Sequence, residues 1–417
     1  MGYETYRIAD LIDEIAMGPF GSNIKVSCFV DSGVPVLNGS NLEGFSLSEK
    51  TFRYVTREKA DSLNKANAHR GDIVITHRGT LGQIVFIPQD SKYDRYVISQ
   101  SQFRVRCNDK VLPEYLVYYF HTPIGQHKLL SNASQVGVPA LARPSSTFQQ
   151  IEVVLPELSI QKCVVEIIST IQKKIVNNQE LNDNLQQQAM AVFKKWFVDN
   201  PDAISWEEGT FSDLIEKTIS GDWGKDSPSG NNTEMVYCVR GADIPEVRAG
   251  NKGKMPTRYI LPKNYADKQL VDGDIVVEIS GGSPTQSTGR AAAVSNALLA
   301  RYDKGMVCTN FCKALKPRAG YSMYVYYYWQ YLYDRNIFFS YENGTTGIKN
   351  LDINGFIETE PIIIAPEDLV EKFDAVCQTV FSKIYANGME NEQLALIRDT
   401  LLPKLMSGEI DVSAVQL

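Results

Sequence analysis

Five cations and no acid lie together in the second half of the chain, between Val247 and Ala266. The stretch also contains glycine and proline, which favour loops. The cations are Arg248, Lys252, Lys254, Arg258 and Lys263. Clustered cations on a loop are suited to contact with phosphate groups. The ordinary alternative for a charge run is a solvated loop with no ligand.

The motifs of common catalytic sites do not occur in the sequence. There is no G-x-x-x-x-G-K-[ST] loop, and the glycine-rich segment 280–290 lacks both that spacing and its lysine. The chain contains no Pro-Pro pair, so the motif of amino-methyltransferases is absent, and no G-x-S-x-G elbow occurs. The four histidines all lie in the first half, without cysteine at metal-ligand spacing. We therefore expect a binding protein with no catalytic residue, no metal ligand and no cofactor of its own.

The chain contains an internal repeat. The phrase RGDIVITHRGTLG at 70–82 returns as DGDIVVEISGGSP at 272–284, an offset of 202 residues. After the glycine-rich segment the offset becomes 210 and stays constant, so that Val97 matches Val307 and Leu141 matches Leu351. A constant register on both sides of one loop-length difference is typical of duplicated domains.

Each repeat is predicted to contain a globular part followed by a long helix. Short apolar runs separated by Gly, Pro and Asn predict strands, and the interspersed stretches 113–130 and 322–337 have helical spacing. Tyrosine-rich runs inside those two stretches alternate with Leu and Val, which predicts buried core. Strands with interspersed helices indicate an α+β domain. The predicted segments are a globular domain at 1–157, a helix at 158–200, a second globular domain at 201–365, and a helix with a tail at 366–417.

The two helical segments carry apolar residues at helical spacing. In the first they are Ile160, Val164, Ile168, Ile171, Ile175, Leu181, Leu185, Ala189, Val192 and Trp196, and in the second Val370, Phe373, Cys377, Val380, Ile384, Leu394, Leu401 and Leu405. Both seams turn polar in the middle, at 177–184 and 387–393, which permits either a helical hairpin or a continuous coiled coil with buried asparagines. The resumed phase beyond Asn391 favours the continuous helix. Packed antiparallel against each other, the helices would form a rigid spacer between the globular domains, related by a pseudo-two-fold axis.

Length and charge agree with a two-domain protein of the cytoplasm. The 417 residues exceed one ordinary domain, and no apolar run approaches the roughly 18–20 residues that span a bilayer. The net charge is −7, of which −5 lies in the last 52 residues, so the globular domains carry only 0 and −3. Acidity therefore does not exclude DNA as a ligand.

Several phrases resemble the specificity subunit of type I restriction-modification systems. MGPFGSNIKVS at 17–27, followed by GVPVLNGSNL at 33–42, is similar to the opening of a target recognition domain in that family. The two glycine-rich phrases resemble the family's central segment, and 154–175 with 193–202 resembles its central helical region. IRDTLLPKLMSGEI at 397–410 is similar to its distal helical end. The resemblance covers the whole chain.

The resemblance implies a function as well as a fold. It implies an α+β fold with two tandem target recognition domains, separated by two long antiparallel coiled-coil helices that set a spacer. Each recognition domain of such a subunit reads one half of a bipartite asymmetric double-stranded DNA site. Two modification (adenine methyltransferase) subunits dock on the helices, and restriction subunits join for cleavage. S-adenosylmethionine, ATP and Mg²⁺ are expected on those partners.

Candidate DNA contacts follow from the need for donors and acceptors on exposed loops. In the first repeat they are Ser22, Asn23, Lys25, His77, Arg78 and Thr80. In the second they are Trp223, Lys225, Ser283, Gln286 and Arg290, with Arg248, Lys252, Lys254 and Arg258 as phosphate contacts. For each of them an ordinary polar loop position is the alternative. A self-contained site-specific nuclease or methyltransferase with unrecognised catalytic residues is the competing function, and a protein-only scaffold is a third.

Overall fold

The chain forms two compact units, and the computed structural model describes residues 3–134, 137–283, 285–344 and 348–412. The first unit comprises Met1–Gln172 with Leu396–Leu417, and the second comprises Lys173–Ala395. Each unit therefore contains one portion of both long helices. The division predicted from the sequence is a different one, because it separates the globular domains at 1–157 and 201–365 from the helices at 158–200 and 366–417. That division stays a prediction.

The first unit is built on antiparallel pairing around two main sheets. A four-stranded sheet has the order Ile12–Met17, Gln102–Cys107, Ile73–Thr76 and Ile84–Phe86. A five-stranded sheet has the order Phe29–Val30, Arg53–Val55, Val34–Val36, Arg95–Val97 and Asn67–His69. Two smaller pairs join Glu4–Arg7 to Glu152–Leu155 and Ala133–Ser134 to Ala140–Leu141.

The second unit repeats this plan. Its four-stranded sheet has the order Ile215–Ser220, Cys312–Pro317, Ile275–Glu278 and Ala291–Ala293. A three-stranded sheet has the order Thr257–Ile260, Glu234–Val239 and Met306–Cys308. Glu207–Thr210 pairs with Pro361–Ile364, and Ser280–Gly281, Lys349–Leu351 and Glu342–Asn343 form a small further sheet.

The internal repeat is confirmed by this topology. The inner strands Ile73–Thr76 and Ile275–Glu278 stand 202 residues apart, and their neighbours Gln102–Cys107 and Cys312–Pro317 stand 210 apart. Both units also have a parallel pairing of strands at equivalent places, between Val36 and Val97 in the first and between Cys238 and Val307 in the second. The α+β class predicted from the sequence is confirmed.

Eleven α-helices lie in the described part of the chain. They are Arg57–Ser62, Pro113–His121, Pro123–Leu130, Pro144–Gln150, Leu158–Phe193, Ile244–Arg248, Pro262–Lys268, Asn296–Leu299, Ser322–Asp334, Ile353–Thr359 and Glu367–Ser407. The stretch predicted as one helix at 113–130 is two helices, because Pro123 starts a new helix that Thr122 caps through its side chain. The tyrosine-rich helices are buried in the cores, as their spacing predicted. No helix in the described residues is long and apolar enough to cross a membrane.

Leu158–Phe193 (the central helix) and Glu367–Ser407 (the C-terminal helix) run antiparallel in both units. In the second unit Asn178 bonds to Asn391 and Asn182 to Asn387, so the numbering rises on one helix and falls on the other. In the first unit Gln172 accepts a bond from Arg398. The C-terminal helix is continuous through Asn387, Gly388 and Asn391, so the coiled-coil alternative is confirmed over the helical hairpin.

The seam of the central helix differs from the predicted one in its middle and near its C-terminal end, where the predicted Val192 and Trp196 are only half-buried. Leu181 is 42% exposed, whereas Asn178 and Asn182 are buried against the C-terminal helix. Beyond them the buried positions are Ala189, Phe193 and Phe197, where a single π-helical turn at Lys194–Val198 ends the helix. The prediction that Leu181 lies in the seam is wrong, because the polar middle of the helix uses the asparagines themselves as its core residues.

Candidate nucleic-acid interface

The repeated G-D-I-V phrase is structural and supports the loops that follow it. Asp72 accepts a hydrogen bond from the backbone nitrogen of His69, and its carboxylate lies 2.9 Å from Arg106 and 3.3 Å from Arg104. Asp274 accepts from the backbone nitrogen of Val271 and lies 2.8 Å from the Lys316 ammonium. Both carboxylates are buried, so neither is free to contact a ligand. They tie the inner strand of each four-stranded sheet to its neighbour.

In the first unit the segment after the inner strand leads two predicted contacts to the surface. Arg78 and Thr80 are exposed on either side of Gly79, which has a positive φ. His77 is only partly exposed, because its backbone nitrogen donates to Ser101 and its Nε2 lies 3.2 Å from the carbonyl oxygen of Gln100. Burial lowers the pKa of His77 below its usual value, although the Gln100 carbonyl opposes this shift.

In the second unit two carboxylates accept hydrogen bonds from the glycine-rich segment 280–290 and fix its position. Glu278 accepts two bonds from Arg290, at 2.8 and 2.7 Å, and Glu342 accepts from the backbone nitrogen of Thr288. Between Glu278 and Thr288, the backbone nitrogen of Ser283 donates to the carbonyl oxygen of Gln286 at 2.7 Å; Ser283 is partly buried and Gln286 is exposed. The guanidinium of Arg290 is thus bonded to Glu278 within the fold, and its predicted role as a DNA contact stays a prediction.

The basic stretch separates into structural and exposed cations. Arg258 is 5% exposed, pairs with Asp226 and donates from Nε to the Trp223 carbonyl oxygen at 2.7 Å. Arg248 lies beside the Tyr326 hydroxyl, and the Lys252 ammonium lies 4.6 Å from the centroid of the Tyr302 ring. Of the four predicted phosphate contacts, only Lys254 is classed as exposed. The exposed cations of this stretch are therefore Lys254 and Lys263, of which only Lys254 was a predicted contact.

The first unit has a surface concavity of about 440 Å³ between its two main sheets, here called the first concavity. Its lining includes Phe20, Phe29, Asn38, Arg53 and Gln100. Phe20 is 82% exposed. The predicted contacts Asn23 and Lys25 are exposed on the turn beside it, whereas the side chain of Ser22 lies outside the described residues.

The second unit has a matching surface concavity of about 560 Å³, here called the second concavity. Its lining includes Trp223, Arg240, Thr309, Asn310 and Phe311. The predicted contact Trp223 is 39% exposed and forms part of the wall. Lys225 is exposed two residues further on, and its backbone pairs with Tyr259.

Two equivalent glycines give the concavities a common construction. A β-carbon at Gly18 would lie 1.9 Å from the Ser99 carbonyl oxygen, and one at Gly221 would lie 1.9 Å from the Thr309 carbonyl oxygen. The glycines are 203 residues apart, as are the strands that precede them, Ile12–Met17 and Ile215–Ser220, and the carbonyls are 210 apart. Since no side chain fits at either glycine, the chain crosses closely here and presents the next aromatic residue at the rim.

The sequence interpretation missed most of the residues that line the two concavities. Only Trp223 among them was a predicted contact, and the others come from segments far apart in the chain. The repeat offers a signal that could have found them. The offset of 203 places Phe20 opposite Trp223, and the offset of 210 places Gln100 opposite Asn310.

Comparison with known proteins finds a family model that is similar to the first part of the chain. Residues 2–187 match the family model described as "Type I restriction modification DNA specificity domain". The matched segment comprises 186 of the 417 residues. The resemblance predicted from the sequence is thereby confirmed, and the repeat extends the plan of the specificity domain to the second unit.

Two relatives match along most of the chain. The type I restriction enzyme MjaIX specificity subunit of Methanocaldococcus jannaschii is 25% identical, with 98% of this chain and 94% of the relative covered. The type I restriction enzyme HindI specificity subunit of Haemophilus influenzae is also 25% identical, with 82% and 87% covered. The crystal structure of the type I restriction-modification S subunit from M. genitalium has a TM-score of 0.52 at 15% identity, covering 97% of this chain and 96% of that one. This likeness supports the fold.

Proposed function

We propose that the chain is the DNA sequence-specificity subunit of a type I restriction-modification complex and carries out no catalysis itself. Each unit reads one half of a bipartite, asymmetric double-stranded site. The observation that carries the proposal is the pair of concavities, which occupy equivalent positions in the two units but have different side chains. A shared frame with different side chains is suited to reading two different short sequences.

Exposed polar side chains near the concavities supply the direct readout. In the first unit these are Asn23, Lys25, Arg78 and Thr80, and in the second Lys225 and Gln286. Arginine pairs well with guanine, and asparagine or glutamine with adenine, in the major groove. Lys254 contacts a phosphate group, which positions the domain without specifying a base. Arg258 and Arg290 act indirectly, because both guanidinium groups are held inside the fold.

The two long helices set the unread gap between the half-sites and dock two adenine methyltransferase subunits. Exposed apolar side chains on the helices support a docking role, among them Val176, Leu181 and Met389 in the second unit. Such side chains on a helix that already has a packed seam favour a further protein partner. Restriction subunits would join this assembly for cleavage. S-adenosylmethionine, ATP and Mg²⁺ would bind to the partner subunits.

The function is tested by expressing the full chain with its modification subunit and sequencing the methylated genome of the host. We expect methylated adenines within one asymmetric motif made of two short specified sequences and a fixed gap. Exchanging Arg78 for alanine should relax one specified half and leave the other unchanged. Methylation that occurs without this chain, or that lacks a gap, would contradict the proposal.

The competing function requires a separate assay of the chain alone. Purified protein is incubated with plasmid DNA and S-adenosylmethionine, or with plasmid DNA and Mg²⁺. We expect neither methyl transfer nor cleavage. Activity that remained after removal of every other polypeptide would instead support a self-contained methyltransferase or nuclease.

A further inference from the structure

Each concavity has an arginine–aromatic pair in or beside its wall. Arg258 and Trp223 of the second were each predicted as contacts, whereas Arg53 and Phe29 of the first were not. The guanidinium carbon of Arg53 lies 5.3 Å from the centroid of the Phe29 ring, and that of Arg258 lies 4.1 Å from the centroid of the Trp223 ring. Arg53 and Arg258 begin the similar phrases R-Y-V and R-Y-I on corresponding strands, although they stand two positions apart in strand register and their aromatic partners are not equivalent residues of the repeat. A cation over the face of an aromatic ring restricts its orientation. Both units therefore contain an aromatic side chain that an arginine holds at the concavity.

Each concavity also presents an aromatic ring to solvent. Phe20 and Trp223 are equivalent in the repeat, and both follow a glycine that lets the chain pass close to the neighbouring backbone. Phe20 is 82% exposed and Val26 of the same segment is also 82% exposed, so this rim has more than one exposed apolar side chain. The occurrence of the same exposed position in both units, with two different aromatic residues, shows that the feature is repeated with the domain.

The remaining lining is suited to a flat, partly polar ring. Ile24 adds apolar wall in the first concavity, and Phe311 and Ile348 do so in the second. An amide side chain, Gln100 in the first and Asn310 in the second, stands at the equivalent position and can both donate and accept hydrogen bonds.

The lining also contains Asn38 and Arg53 in the first concavity and Arg240 and Glu278 in the second. The Arg53 guanidinium lies over the Phe29 ring, and that of Arg240 is bonded to Asp243 at 2.9 and 3.0 Å. Because these two cations already have partners inside the fold, the apolar walls and amide groups fit a nucleobase better than a phosphate group.

We propose that each concavity binds one nucleobase of its half-site, which leaves the helical stack and packs face-on against Phe20 in the first unit or Trp223 in the second. The proposal rests on the proposed function and adds to it the place where one base in each half is held. Phe20 and Trp223 are the contacting residues. Arg258 is a positioning residue, because it reaches the ligand only through the Trp223 ring.

The energetics make such a contact selective. Unstacking a base from a duplex costs free energy, and stacking it on an aromatic side chain returns a similar amount. Because the two terms nearly cancel, the net gain depends on how easily the base leaves its pair. A position where pairing is already weak should therefore bind more tightly, which is the opposite of what a contact in the major groove of an intact pair predicts.

The test uses the full chain in complex with its modification subunits and the motif found by methylation sequencing. A series of duplexes is made in which one position at a time carries an abasic residue, and the dissociation constant is measured for the wild type and for Trp223→Ala. A second series carries a mismatch at each position. Ile204→Ala is the matched control, because Ile204 is a 95% exposed apolar residue of the same unit and does not line the second concavity.

At one position in one half-site, we expect the abasic residue to raise the dissociation constant of the wild type about tenfold or more. For Trp223→Ala the same abasic residue should change the dissociation constant little, because the side chain that would contact the base is already absent. A mismatch at that position should strengthen wild-type binding. Ile204→Ala should behave as the wild type does. Phe20→Ala should show the same coupling in the other half-site, with the exposed Ile124→Ala as its control.

Two results would overturn the inference while leaving the proposed function intact. The first is that each abasic residue weakens binding by the same factor in the wild type and in Trp223→Ala. That result would show that no base couples to this side chain. The other is coupling accompanied by weaker binding of the mismatch, which would place the contact in the groove of an intact pair. If instead no position affects binding by the wild type, the proposed function itself fails.

Discussion

The α-carbon of Gly388 packs directly against the carbonyl oxygen of Gly250. A β-carbon at 388 would lie 1.9 Å from that oxygen. The C-terminal helix thus needs glycine at this position because a loop of the second unit rests on it. The same loop is held by Gln186, which donates to the Arg248 carbonyl oxygen at 2.8 Å, and by Arg301, which donates to the Gly250 carbonyl oxygen at 2.6 Å.

Gly388→Ala should destabilise the protein although alanine favours helices. On helix propensity alone the exchange would stabilise by about 1 kcal/mol. The collision with backbone should reverse the sign and cost roughly 1–3 kcal/mol, as overpacking does. Urea unfolding of the full chain measures the difference. Ala386→Gly, at an exposed position of the same helix, is the control and should cost about 1 kcal/mol. Stabilisation by Gly388→Ala would mean that the loop does not rest on the helix.

Asn182 should contribute more to stability than a neighbouring exposed asparagine. Its Nδ2 donates to the carbonyl oxygens of Ala249 and Ile384, at 3.0 and 3.1 Å, and its Oδ1 accepts from Asn387 at 2.8 Å. Asn182→Ala leaves these buried groups without a partner, at a cost of roughly 1–3 kcal/mol for each unsatisfied group. Asn177→Ala, one turn away and exposed, should change the free energy of unfolding by less than about 0.5 kcal/mol.

Equal losses for Asn182→Ala and Asn177→Ala would contradict the assignment of Asn182 to the seam. An Asn182→Leu variant adds a second measurement. Leucine supplies apolar volume but no hydrogen bonds, so we expect it to restore little of the lost stability. It should also weaken the preference for one helix register, because a buried asparagine is the residue that specifies register in such pairs.

The buried carboxyl of Asp274 should give stability a characteristic dependence on pH. Burial raises its pKa above the usual value, and the Lys316 ammonium opposes this shift only in part. A carboxyl whose pKa is higher in the folded state contributes stability at low pH, and this contribution is lost as pH rises through the folded pKa. The free energy of unfolding of Asp274→Asn, minus that of the wild type, should therefore increase as pH rises from about 3 to 6. Unfolding at a series of pH values measures this difference, and Asp267→Asn, at an exposed carboxyl of the same unit, is the control. A decrease of this difference with rising pH would contradict the prediction.

The fold could be predicted from the sequence wherever local pattern and repeat agreed. The repeat predicted two equivalent α+β domains because each strand phrase recurs in register, and the heptad-like spacing predicted the long helices. Leu181 was assigned wrongly because spacing alone favours an apolar seam, whereas the hydrogen bonds of Asn178 and Asn182 depend on residues more than 200 positions away.

The candidate site could be predicted only in part, for a related reason. A charge run shows how many cations lie in a segment but not which acids face them. Arg258 meets Asp226, 32 residues earlier in the chain, and Arg290 meets Glu278 on the strand beneath it. The concavities are assembled from separate segments, so that Phe20 and Gln100 become neighbours only through the pairing of sheets.

Lys254 and Arg258 should differ in their effect on DNA binding although both belong to the same basic stretch. Lys254 is exposed, whereas the Arg258 guanidinium is buried against Trp223 and bonded to backbone. In the complex with its modification subunits, Lys254→Ala should weaken binding of cognate and non-cognate duplexes by similar factors. It should also reduce the slope of log K against log salt by about 1, as expected for the loss of one phosphate contact.

Arg258→Ala should leave that slope unchanged and should weaken only cognate binding, because it releases the Trp223 ring. Lys263→Ala, at an exposed cation of the stretch outside the predicted contacts, controls for general charge and should change the slope by much less than 1. If Arg258→Ala lowered the slope as Lys254→Ala does, its guanidinium would have to leave Trp223 and Asp226 to reach the DNA backbone, and the second concavity could not keep the same shape when DNA is bound.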